Sequence, residues 1–77
     1  MSTFSNKAYT FRETNRETFE AKADEFYQTL TEDDPIWDRY TKAYPYLLDM
    51  GGIDRSNPDR RLDVAYFKAM AFYEGTL

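Results

Sequence analysis

PDRRLDVAYFKAMAFY, residues Pro58 to Tyr73, is the stretch on which the fold turns. Wound as an α-helix, it puts Leu62, Ala65, Tyr66, Ala69, Met70, Phe72 and Tyr73 on one broad face, with Val64, Phe67 and Ala71 opposite. A helix that is apolar on both sides is buried on both sides. The pattern therefore predicts a central helix with the rest of the chain packed about it, or a helix whose second face meets another chain. Its ends are marked: Asn57 can act as N-cap, Pro58 suits the first helical position, and Gly75 lies just past the last apolar residue.

Upstream, LTEDDPIWDRYTKAYPYLLDMGG (Leu30 to Gly52) repeats the same start signal. Asp34 can accept orphan N–H groups and Pro35 gives up a donor that has no partner there. Ile36, Tyr40, Ala43, Leu47 and Met50 follow as one stripe, widened by Trp37, Tyr44 and Leu48. The stripe keeps phase across Pro45, so a helix kinked at Pro45 and closed at Gly51-Gly52 is expected. Further upstream, Thr14-Asn15-Arg16-Glu17 fits a capping box, and Phe19, Ala23, Phe26 and Leu30 give a third helical stripe. Residues 1–13 read as an N-terminal extended arm, because Tyr9 and Phe11 alternate with smaller or polar neighbours in the manner of a short strand. The expected fold is all-α: a three-helix domain over residues 14–77, its second helix kinked at Pro45, with that arm laid against it.

Composition narrows the chemistry. The chain has 77 residues, enough for one small core, and no cysteine or histidine. Disulfide staples, zinc fingers, thiolate nucleophiles and imidazole acid–base groups are excluded together. Seven Tyr, six Phe and one Trp supply the apolar mass instead. The formal net charge of -4 is the wrong sign for a general nucleic-acid or anionic-membrane binder, and direct nucleic-acid contact is not expected. Arg55, Arg60, Arg61 and Lys68 are the basic cluster that would carry it. No apolar run approaches the ~20 residues of a membrane span, so the expected setting is cytoplasmic, away from the bilayer. Motifs for an acyl-transfer serine, a phosphate loop and a zinc protease are missing, and DMGGIDRSNPD (Asp49 to Asp59) lacks both the residue order and the closing glutamate of a calcium loop. Neither an enzyme nor a cofactor is expected.

Two surface patterns remain. Glu13, Glu17, Glu20 and Asp24 recur at helical spacing, and six acids with no Lys or Arg lie between Ala23 and Asp38. Such a surface keeps an aromatic-rich small protein soluble. It also suits a larger protein with a basic groove, steered by charge. Glu32, Asp33, Asp34 and Asp38, with Trp37, Tyr40 and Tyr44 as aromatic anchors, are the candidate partner-binding residues, since aromatic anchors ringed by charge make hot spots. Val64, Phe67 and Ala71 are the candidate homodimer interface. In its length, acidity, aromatic content and lack of cysteine the chain is similar to the accessory proteins that bacteriophages use to block host machinery, anti-CRISPR proteins among them; the likeness is one of composition, not of motif. It implies a small acidic, non-enzymatic module that inhibits or modulates a larger partner by occluding its surface. The alternative is a small structural subunit that pairs through its third helix.

Overall fold

The computed structural model describes residues 4–44 and 60–77. Among these the chain is helical, with four helices: α1 (Asn6–Thr14), α2 (Arg16–Thr29), α3 (Ile36–Ala43) and α4 (Arg60–Glu74). No helix among them is long and apolar enough to cross a membrane. The all-α expectation holds at that level, and α4 is the central helix. It packs against each of the other three, while α1 also touches α2. Val64, Ala65, Ala69, Met70 and Ala71 of α4 are fully buried. Three of those five are alanines, and a short side chain lets neighbouring helices come close.

The N-terminal segment corrects the sequence reading. Where an extended arm or strand was expected, Asn6–Thr14 is a helix, so four helices rather than three are present among the described residues. The Tyr9/Phe11 alternation misled; the stripe that matters is Phe4, Ala8 and Phe11, spaced +4 and +3. Phe4 and Ala8 are buried, and the Phe4 ring meets Phe67 of α4 at 5.2 Å between centroids. Ser5 starts the helix: extended at φ -77°, ψ 171°, its Oγ accepts the Lys7 N–H at 3.3 Å. Glu74, at the far end of α4, grips the same residue. Its two carboxylate oxygens accept the Ser5 N–H at 3.1 Å and the Ser5 hydroxyl at 2.7 Å. A carboxylate beside a helix N-terminus also meets the positive end of its dipole.

The expected capping box at Thr14 does not form. Thr14 is the last residue of α1, and its hydroxyl donates back to the Thr10 carbonyl at 2.8 Å. Asn15 takes the bend between the helices, at φ -129°, ψ 50°. Its N–H closes α1 on Phe11 O at 2.8 Å and its carbonyl opens α2 by accepting Phe19 N–H at 2.9 Å. The predicted apolar stripe of α2 is present, with Phe19, Ala23 and Leu30 buried and Phe26 partly so.

The start of α3 follows its sequence signal closely. Pro35 already has helical angles, φ -58°, ψ -18°, and Asp34 Oδ1 accepts the Ile36 N–H at 2.9 Å. At the other end of the chain, α4 closes as expected. Gly75 is left-handed at φ 89°, and Thr76 N–H and Gly75 N–H reach back to Ala71 O at 3.0 Å and Phe72 O at 3.2 Å. That pair of bonds is the Schellman closure. The kink at Pro45, the turn at Gly51-Gly52 and the Asn57-Pro58 start lie outside the described residues.

Candidate functional site

The candidate partner-binding residues divide sharply once placed in space. Glu32, Asp33 and Asp38 are exposed. Asp38 pairs with Lys42, one helical turn on, at 2.9 Å. Asp34, by contrast, works inside the molecule. Its Oδ2 accepts from Lys68 Nζ of α4 at 2.6 Å, with the two side chains only 18% and 16% exposed. Burial works against this carboxylate, but the Lys68 bond, the Ile36 N–H and the ammonium charge outweigh it and hold Asp34 below its ordinary pKa.

The aromatic anchors divide in the same way. Tyr40 is 5% exposed and is a core residue, not a surface anchor. Its ring packs edge-on against Phe67 at 5.8 Å, and its hydroxyl faces the buried Asp63 Oδ2 at 3.5 Å. Burial pushes the Tyr40 phenol up; the bond from Arg60 opposes the rise and the Asp63 charge adds to it. Trp37 and Tyr44 are half-buried. The Trp37 indole N–H donates to Thr31 O at 2.8 Å, which pins the loop before α3 to the helix and fixes the ring. Tyr44 lies edge-on to Tyr40 at 5.7 Å.

These rings form the walls of a groove. Trp37, Tyr40, Thr41, Tyr44 and Arg60 line a concavity of about 330 Å³ at the junction of α3 and α4. Arg60 stands at its rim. Its Nη1 donates to Tyr44 Oη at 3.0 Å and Tyr40 Oη at 3.4 Å, and the guanidinium lies over the Tyr44 ring at 4.9 Å. Acceptance by the Tyr44 and Tyr40 hydroxyls raises the Arg60 pKa further, so its charge is permanent. Thr41 and Arg60 are the groove residues that sequence reasoning did not assign to this site. Thr41 has a discoverable signal, one turn from Trp37 on α3. Arg60 has none, because its tyrosine partners are 16 and 20 residues away in sequence.

Two members of the basic cluster, Arg61 and Lys68, are spent within the chain. Arg61 Nε and Nη2 donate to the Tyr27 carbonyl at 3.2 and 2.8 Å, so this cation caps the last turn of α2 and pairs with no acid there. Lys68 holds Asp34, and Arg55 lies outside the described residues. The candidate homodimer face is likewise consumed. Val64, Phe67 and Ala71 are 0%, 2% and 0% exposed within a single chain, so they present no surface to a second copy. On that face Phe67 meets Phe4, just before α1, and Tyr40 of α3. The acidic ridge is exposed throughout, but Glu13 belongs to α1 and Glu17, Glu20 and Asp24 to α2, with the bend at Asn15 between them.

In chemical terms the groove offers one permanent cation, one threonine hydroxyl and three aromatic rings. It can bind by stacking, shape and hydrogen bonding. Among the described residues no group of three or more Asp and Glu side chains is placed to hold a metal ion. No protein-family model matches the chain, and neither a curated protein nor a solved structure does.

Proposed function

We propose that this chain is a non-enzymatic binding module that docks on a larger protein through the α3 face and acts by occupying that protein's surface. The observation that carries the reading is the groove: two half-buried rings, Trp37 and Tyr44, fixed in place by hydrogen bonds and a cation, beside the exposed carboxylates of Glu32, Asp33 and Asp38. Rigid aromatic rings give contact area at small entropic cost, and surrounding charge steers encounter and sets orientation. Basic groups on the partner, around the point where its side chain enters the groove, complement those three acids. The likeness of composition to phage accessory inhibitors supports the occluding form of this reading.

The test is capture from the native host by the tagged chain, with cross-linking to identify the contact. Tyr44→Ala, and Glu32→Lys combined with Asp33→Lys, are expected to lose at least tenfold of the captured partner while far-UV circular dichroism stays unchanged. Capture that survives both would show that the partner, if bound, sits elsewhere.

A further inference from the structure

Building on that docking face, we infer that the groove between α3 and α4 is a receptor for a carboxylate side chain, a glutamate or aspartate flanked by an apolar residue, carried by the partner protein. The argument starts from how the arginines of this chain use their donors. A guanidinium has five N–H groups, and the edge formed by Nε and one Nη matches the two oxygens of a carboxylate. Arg61 spends that edge on the Tyr27 carbonyl, through Nε and Nη2. Arg39 donates through both Nη atoms to Thr76, to its carbonyl at 3.0 Å and its hydroxyl at 3.1 Å. Arg60 is held through Nη1, by Tyr44 at 3.0 Å and Tyr40 at 3.4 Å. Among the described residues its Nε and Nη2 donate to nothing.

Arg60 is therefore fixed and incompletely used. Two tyrosine hydroxyls and the Tyr44 ring set the guanidinium plane, so a ligand need not immobilise a free side chain. None of the groove's lining residues is acidic; the buried Asp63 carboxylate faces the Tyr40 hydroxyl from behind that lining. Asp38, next to Trp37, is drawn toward Lys42 instead. The remaining walls, Trp37, Thr41 and Tyr44, suit an apolar neighbour of the entering acid. A volume of about 330 Å³ is at the small end for ligand sites and fits one or two side chains. Lysine in place of Arg60 would keep the charge and lose the fork.

The experiment uses the full chain, isotope-labelled, titrated with N-acetyl-Phe-Glu-amide and, as the uncharged control, N-acetyl-Phe-Gln-amide. The reporters are the indole N–H of Trp37, the single tryptophan, and the Nε–H of Arg60. The glutamate peptide is expected to shift both resonances saturably in the millimolar range, with the glutamine peptide roughly tenfold weaker. Arg60→Lys, checked for unchanged helicity and melting, is expected to lose the same factor. Equal binding of the two peptides overturns the inference, as does the absence of any saturable shift, or undiminished affinity in Arg60→Lys. Failure of the titration while capture of the partner still depends on Tyr44 removes the carboxylate anchor and leaves the docking face. A successful titration combined with capture that ignores Arg60→Lys and Tyr44→Ala leaves a carboxylate site and removes the docking reading.

Discussion

The helix α2 lays 14 residues along α4, and α3 lays eight. The longer helix holds by area. Its Phe19 ring lies 6.0 Å from both Tyr66 and Tyr73 of α4, its Phe26 ring 5.9 Å from Phe72, and α1 supports it from the side. The shorter helix touches no helix but α4 among the described residues, and it buries only Ile36 and Tyr40. Two side chains stabilise by about 1.5–3 kcal/mol each, little for a helix too short to stand alone. Directional bonds make up the difference: Asp34 to Lys68, Arg39 to Thr76 and Arg60 to Tyr44. Those bonds fix α3 without covering its outer rings. A helix attached by area spends its rings on its neighbour, whereas one attached by polar ties can leave Trp37 and Tyr44 to line a groove.

The largest expected effect is that of Phe67→Ala, which removes the ring shared by α3 and the segment that opens α1. Phe67 is 2% exposed and its ring meets Phe4 just before α1 as well as Tyr40 of α3. Truncating a buried phenylalanine costs about 3–5 kcal/mol, close to the whole stability of a domain this small. Urea unfolding followed by Trp37 fluorescence should show a chain largely unfolded in buffer. A loss below about 1 kcal/mol would mean that Phe67 is not a common support of α3 and the segment before α1.

A smaller effect separates the two modes of attachment. Asp34→Asn keeps an oxygen for the Ile36 N–H but removes the charge that meets Lys68. We expect a loss of about 1 kcal/mol at pH 7, modest because the edge of the pair still meets water. Its pH dependence gives the sign. The Asp34 pKa is lower in the folded chain than the ordinary 3.8, so its carboxylate stabilises above that value and the contribution fades as pH falls through the folded pKa. Melting curves of wild type and Asp34→Asn should therefore stand apart above the ordinary 3.8 and draw together as the pH falls below it. Parallel curves across that range would show that the ion pair does not hold α3.

How much of this could be read in the sequence depends on the range of each interaction. The start of α3 was legible because Asp34 and Pro35 act on N–H groups within two residues, and the closure at Gly75 for the same reason. The central place of α4 was half legible: apolar residues on both faces allow either a central helix or a second chain, and the burial of Val64, Phe67 and Ala71 within one chain selects the first. The first helix was missed because Tyr9 and Phe11, alternating with Ala8, Thr10 and Arg12, mimic a strand, while the burial of Phe4 and Ala8 depends on α4, some sixty residues on. Thr14 looked like a cap and instead ends a helix: its hydroxyl donates to Thr10 O one turn back and accepts from the Asn15 side-chain amide. For the site, the exposure of Glu32, Asp33 and Asp38 followed from their chemistry. The withdrawal of Asp34 and Tyr40 into the molecule, and the arrival of Arg60, are long-range and carry no local signature.

The smallest expected effect sharpens the contrast from its polar side. Asp38 and Lys42 also form an ion pair on α3, but within the helix, with side chains 70% and 77% exposed. The acid precedes the base by four residues, the favourable order against the helix dipole, yet both charges remain in water. Lys42→Ala should change stability by no more than about 0.5 kcal/mol, measured by the same urea titration. The long-range ties differ in kind, because each joins α3 to another part of the chain and breaking one loosens the helix as a body. A loss above about 1 kcal/mol would show that α3 depends on its own helicity and not on its attachment to α4. The expected silence of Lys42→Ala leaves Asp38 exposed and free of its intramolecular cation, which under the docking proposal should strengthen, not weaken, the attraction for a basic partner.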